Sequence, residues 1–193
     1  KKNISNKNII WINNFKKIKK GPVIFFGNEF FDAIPIKQFL KEKNNWYERF
    51  IYVSSNKKLC FIKKKININS LKKKFNFDIL DNQNFIEYSP LTMKYLSIMT
   101  KKIKLNNGGI LIIDYGYLDK KIRNTLQAIL NHKYSSVLDN FGKSDLTYNL
   151  SFYLTKKIIK KLGSFKTLTT NQKKFLTKLG IVQRAEILSK NMP

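Results

Sequence analysis

Residues 21–40 read GPVIFFGNEFFDAIPIKQFL, and the rest of the chain is organised around them. Val23 to Phe26 is a run of four bulky apolar residues that stops at Gly27. Such a run has no polar alternation, so it predicts a strand covered on both faces, as in the middle of an α/β sheet. An acidic turn follows, Asn28-Glu29-Phe30-Phe31-Asp32, and then an apolar segment, Ala33 to Leu40, interrupted by Pro35. In open α/β sheets, ligands sit in the crevice beyond the carboxyl ends of the strands. Asn28, Glu29 and Asp32 fall at that place. Two readings stay open: ligand-facing carboxylates, on one face if 29–32 makes a helical turn, or caps at a helix N-terminus.

Outward from this stretch, the chain alternates strands with one long helix. Trp46 to Val53 is dense in β-branched and aromatic residues, Ser54 to Lys57 is turn chemistry, and Leu59 to Ile62 predicts the second arm of a hairpin. Residues 63–84 are rich in Lys and Asn and read as a solvated excursion, before a short extended piece at Phe85 to Tyr88. Ser89-Pro90 is a helix start, with Ser as cap and Pro at the first helical position. Leu91 to Leu105 carries apolar residues at helical spacing, and Asn106 to Gly109 stops it. Ile110 to Ile113 is the second continuous apolar strand, ending at Asp114-Tyr115-Gly116-Tyr117. Strand, acidic end, helix, strand, acidic end predicts a parallel sheet whose working edge gathers residues 28–32 and 114–117. Further on, Tyr148 to Leu162 and Asn171 to Leu179 predict helices closed by Gly163 and Gly180. Residues 1–20 read as a short helix or connector.

The chain has 193 residues, 38 basic and 12 acidic, for a formal charge of +26. Length and an apolar content of 42% allow one domain with a real core. The charge raises nucleic acid as a partner class, but only Arg49, Arg123 and Arg184 carry the guanidinium fork that phosphate and base readers favour. The lysines are scattered and travel with Asn and Ile, which fits a bias towards AT-rich codons; nucleic acid is not the favoured partner. Cys60 is the single cysteine and sits between Leu59 and Phe61, as a buried strand thiol would. With His132 as the single histidine, no metal-ligand set forms. No apolar run approaches the ~18 residues of a membrane span. The first residue is Lys, so the chain reads as an internal piece of a longer product.

Several blocks occur together and in order: GNEFFDAIPIKQF, the W-x-E-R start at Trp46 to Arg49, GGILIIDYGY, TLQAILNHKYSSVLDNFGKSDLTYNLSF and NQKKFLTKLGIVQR. In this order and spacing they resemble the MidA family of class I S-adenosylmethionine-dependent methyltransferases, whose mitochondrial branch includes a complex I assembly factor acting on protein arginine. The resemblance implies an α/β, Rossmann-like class I sheet with Val23–Phe26 as its fourth strand, Ile110–Ile113 as its fifth and the hairpin as an insertion. That sheet is incomplete here. The family's E-L-G-x-G-x-G loop and the acidic residue after its second strand are absent, since the eight glycines form no such motif. Residues 1–193 are therefore expected to be the carboxyl-terminal part of one methyltransferase domain, inactive alone. The resemblance implies S-adenosylmethionine as cofactor, touched from this chain by Gly27 and Asn28. It implies Glu29 and Asp32 as catalytic carboxylates orienting an acceptor guanidinium, and Tyr115, His132, Asp145 and Thr147 on the acceptor side. Bland readings stand beside these: capping for the carboxylates, an Asx-type turn for Asp145, and ordinary packing for His132. The implied partner is a protein substrate, a complex I subunit in the mitochondrial branch. The compartment is the cytoplasm of a bacterium with an AT-rich genome or the mitochondrial matrix. The rival is a non-catalytic assembly or nucleic-acid-binding protein on the same scaffold.

Overall fold

In the computed structural model, residues 9–75 and 82–190 are described, and the chain divides into two units, 1–163 and 164–193. In the first unit a 3-10 turn at Phe15–Lys17 precedes β1 (Val23–Asn28), β2 (Lys37–Glu42), β3 (Asn45–Val53) and β4 (Leu59–Ile66). Then come α1 (Ile68–Phe75), β5 (Phe85–Tyr88), α2 (Pro90–Asn106), β6 (Gly108–Ile113) and β7 (Gly116–Tyr117). The unit closes with β8 (Gln127–Leu130), β9 (Lys133–Ser135), β10 (Asp145–Thr147), β11 (Leu150–Ser151) and α3 (Phe152–Leu162). The second unit holds α4 (Gln172–Lys178) and α5 (Ile181–Ser189).

The parallel beat is present. β1 and β6 pair in parallel, Val23 opposite Gly108 and Asn28 opposite Ile113, with α2 as the helix that precedes β6. Ser89 caps α2 by accepting from the Thr92 N–H at 3.1 Å, and Pro90 opens the helix. At the other end Asn107 turns left-handed (φ 60°) and Gly108 takes φ 132° beside the β1 backbone. Leu96 on α2 and Ile86 on β5 are the fully buried centre of a core that also takes in Phe31, Phe39, Trp46, Tyr88, Tyr148 and Leu154.

Several expectations are corrected. β1 is not covered on both faces: Phe25 packs against Phe15, but Ile24 is 77% and Phe26 65% exposed. Among the described residues only one side of the β1–β6 pair is clad, and α2 lies on it. The predicted hairpin forms as β3 and β4, yet it belongs to a four-stranded antiparallel sheet, β4-β3-β2-β5, that begins just after Pro35. Part of the predicted solvated excursion is β4 continued to Ile66 and then α1, while residues 76–81 lie outside the described residues. Cys60 is half-buried rather than buried, its Sγ 3.6 Å from the Tyr52 carbonyl oxygen. The helix predicted from Tyr148 starts at Phe152, because Leu150–Ser151 pairs in parallel with β7 and Ser151 caps α3. Beyond Gly180 a further helix, α5, follows directly. The connector predicted over 1–20 contains the 3-10 turn; its residues 1–8 lie outside the described residues.

Candidate functional site at the carboxyl end of the parallel strands

The ladder between β1 and β6 runs one residue past β1, with the Glu29 N–H donating to the carbonyl of Ile113, the last residue of β6, at 2.9 Å. Glu29 then takes φ 48°, a left-handed conformation that costs a non-glycine residue free energy. That kink rules out a helical turn over 29–32 and leaves Glu29 exposed, with Asp32 buried at 5% exposure. Asp114 holds the turn in place. Its Oδ2 accepts from the Phe31 N–H at 2.9 Å and the Asp32 N–H at 3.4 Å, and its Oδ1 from the Tyr115 N–H at 2.9 Å. Asp114 thus organises the acidic turn from the neighbouring strand, beyond capping its own.

Asp32 differs in kind. Its Oδ1 is buried without a hydrogen-bond partner. Burial pushes its carboxyl above the usual carboxylate range; the Ala33 N–H pulls partly back, and the negative charge of Glu29 adds to the rise. Burial likewise raises Asp114, against the Phe31 N–H and with the help of the nearby Asp32 charge. Tyr148, buried in the core, is pushed up to about 12 by burial.

Because Asp32 titrates higher in the folded chain, its ionisation opposes folding. The penalty is absent below the ordinary Asp value, grows as pH rises through it, and is complete above the raised folded value. Asp32→Asn is therefore expected to raise Tm at pH 7, by about 2–4 °C for each kcal/mol relieved, and to leave Tm unchanged near pH 3. A Tm lowered at pH 7 would show that the carboxylate stabilises the turn.

The remaining sequence candidates divide. Gly27 and Asn28 end β1; a Cβ on Gly27 would meet Phe30 and Phe31 at an ordinary 3.6 Å, so this glycine is not forced by packing. Tyr115 follows Asp114 and is 61% exposed. Asp145 and Thr147 lie on β10, with Thr147 opposite Gln127 and its Oγ1 accepting from Gln127 Nε2 at 3.2 Å. The next residue, Tyr148, donates its N–H to the Asp32 carbonyl at 3.1 Å, so the DLT and NEFFD blocks meet there. His132 stands apart: with Asn131 it forms the tip of the β8–β9 hairpin, both residues at positive φ, at the far end of β8 from Thr147. Sequence reading missed Gln38 and Glu87, buried polar residues on β2 and β5. An acid inside the apolar run FIEY was the available signal for Glu87.

A family model for S-adenosyl-L-methionine-dependent methyltransferases matches residues 1–170. The chain is 31% identical over 180 residues to the Caenorhabditis elegans protein named protein arginine methyltransferase NDUFAF7 homolog, mitochondrial, covering 92% of this chain and 42% of that one. It is 27% identical to the Homo sapiens protein arginine methyltransferase NDUFAF7, mitochondrial, over 93% of this chain and 40% of that one. The chain thus spans about two-fifths of the length of these relatives. A COG1565 superfamily protein from Burkholderia thailandensis, crystallised with S-adenosyl-homocysteine, superposes with a TM-score of 0.62 at 15% identity, over 80% of this chain and 41% of that one. The fold is that of the class I methyltransferases.

Proposed function

The chain belongs to the MidA-like family of S-adenosyl-L-methionine-dependent methyltransferases, and on that premise we propose that it carries the acceptor side of a protein arginine methyltransferase. The observation that carries this reading is Asp32: a buried carboxylate with a partnerless oxygen, beside Glu29, at the carboxyl end of the parallel pair. A guanidinium presents five donors in a planar fork and keeps its charge, with a pKa above ~12. Two carboxylates at the mouth of a strand orient such a group and offset its charge. Bound S-adenosylmethionine supplies an electrophilic methyl group. Asp32, held above the usual range, takes the proton that the attacking nitrogen gives up.

The groups at this edge fit the methyl end of that cofactor: Gly27 offers backbone without a side chain, and Asn28 an exposed amide. We assign the rest of the cofactor cradle to a segment outside residues 1–193, seated on the exposed Ile24 and Phe26 face of β1. This chain alone is then inactive. Tyr115, Asp145 and Thr147 line the acceptor side, and the finer proposal, resting on the family resemblance, is a respiratory complex I subunit as acceptor during assembly.

The test is a methylation assay with labelled cofactor of the intact polypeptide, taken as residues 1–193 together with the segment that supplies the rest of the cofactor cradle. Arginine-containing peptides are expected to yield methylarginine, and the same peptides with lysine in its place to yield nothing. Methyl transfer to lysine, or to neither, would sink the arginine reading.

A further inference from the structure

Glu87 is a buried acid for which the proposed chemistry has no use, being 4% exposed on β5. Donors surround it. Gln38, its cross-strand partner on β2, donates Nε2–H to Oε2 at 2.6 Å. The Thr125 N–H reaches Oε1 at 3.2 Å and Oε2 at 3.3 Å, and the Thr125 hydroxyl donates to Oε1. Gln38 is itself held on both sides, donating to Asn124 Oδ1 at 2.9 Å and accepting from Arg49 Nη1 at 3.1 Å. An ionised carboxylate accepts only, which suits a site where every neighbour donates. Burial pushes the Glu87 carboxyl up, and the Thr125 and Gln38 bonds pull it back down.

The Thr125 hydroxyl has a second bond. It accepts from the Asn149 N–H at 2.9 Å. Asn149 is the middle of three consecutive residues whose amides go to three different places. The Tyr148 N–H goes to the Asp32 carbonyl at 3.1 Å, and the Leu150 N–H to the Tyr115 carbonyl at 2.8 Å. The strap 148–150 therefore ties both acidic strand ends together, and its centre is anchored on Thr125.

We infer that Glu87 is a positioning residue: through the Thr125 hydroxyl it fixes the strap 148–150, and the strap fixes Asp32 and Tyr115 at the strand ends. Its consequence for turnover rests on the proposed methyl transfer, but the linkage itself does not. Glu87→Gln keeps shape and turns an N–H donor towards donors. Thr125→Val removes the hydroxyl and keeps the volume. Thr125→Ser keeps the hydroxyl.

Amide hydrogen exchange in the intact polypeptide reads the linkage directly. Glu87→Gln and Thr125→Val are each expected to speed exchange of the Tyr148 amide by roughly 10-fold, with the Leu96 amide of α2 unchanged. The double variant should be no faster than either single one, because both break the same link. Thr125→Ser should exchange like the wild type. In the methylation assay kcat should fall while the KM for cofactor holds. Unchanged Tyr148 exchange, equal acceleration at Leu96, or additive single effects would each overturn the inference. If Glu87→Gln does not fold, the Thr125→Val and Thr125→Ser pair decides alone. Intact coupling without any methylation would count against the proposed function and leave this linkage standing.

Discussion

Asp32→Asn in the intact polypeptide is expected to lower kcat for arginine methylation by about 10²–10³-fold, the usual scale for losing a positioned acid–base or electrostatic group. Cofactor affinity should be unchanged. The substitution keeps volume and backbone; what disappears is the charge and the proton-accepting oxygen. The same variant is expected to be the more stable protein at pH 7, as derived above, so lost activity could not be blamed on lost folding. Glu29 offers a cleaner separation still. Its φ of 48° suits glycine better than glutamate. Glu29→Gly therefore relaxes the backbone while deleting the second carboxylate, and should lose turnover without losing stability. Asp119→Asn is the control, an exposed acid paired with Arg123 four residues on, with no expected effect on either quantity. Turnover within about 2-fold of wild type in both Asp32→Asn and Glu29→Gly would remove the carboxylates from the chemistry, since even one lost catalytic hydrogen bond costs more.

The second large effect is structural and sits at the opposite end of the same two strands. Gly108 begins β6 at φ 132°, and a Cβ placed there would lie 1.8 Å from the Val23 carbonyl oxygen and 2.7 Å from its carbon. Both atoms are backbone, so no side chain can swing aside. Gly108→Ala must either push β1 and β6 apart or unwind the Asn107–Gly108 turn. A loss of at least ~4 kcal/mol is expected, at the diagnostic end of single substitutions, or failure to accumulate as folded protein. Gly109→Ala is the matched control: no heavy atom lies within 4 Å of its Cβ position. It should change stability by less than ~1 kcal/mol. Urea unfolding of the two variants decides; equal midpoints would mean that the strand pair yields more easily than its geometry implies.

Local signals were legible wherever one residue type dictates one conformation. Ser89 and Pro90 gave the start of α2, Asn107 and Gly108 its end, and the apolar runs at 23–26 and 110–113 the two parallel strands. From these the site edge followed, because both strands stop in acidic residues. What sequence hid was decided by partners far along the chain. β2 has no alternation to read, since Gln38 and Phe39 are both buried; Gln38 goes inside only because Glu87, Asn124 and Arg49 satisfy its amide. β8 to β10 are strands of three or four residues made by pairing Asp145 with Ile129 and Ile129 with Tyr134. Gly180, read as a stop, is a left-handed turn of φ 83° after which α5 starts without a side-chain cap. The division of labour between Asp114 and Asp32 was equally out of reach, because it depends on which carboxylate faces the backbone amides of the turn.

Without the segment assigned to it, the open face of β1 also bears on how residues 1–193 behave in solution. An apolar strand with Ile24 and Phe26 uncovered, and no neighbour on its outer edge among the described residues, is a template for self-association. The residues just before it are Lys16, Lys17, Lys19 and Lys20, and the net charge is +26. Flanking like charges of this kind act as gatekeepers, keeping two copies apart before their strands can pair. Their reach is the Debye length, ~8 Å at physiological ionic strength. The lysines that fit a codon bias are thus expected to have a colloidal role as well, protecting the sticky strand in dilute salt and ceasing to do so as salt rises.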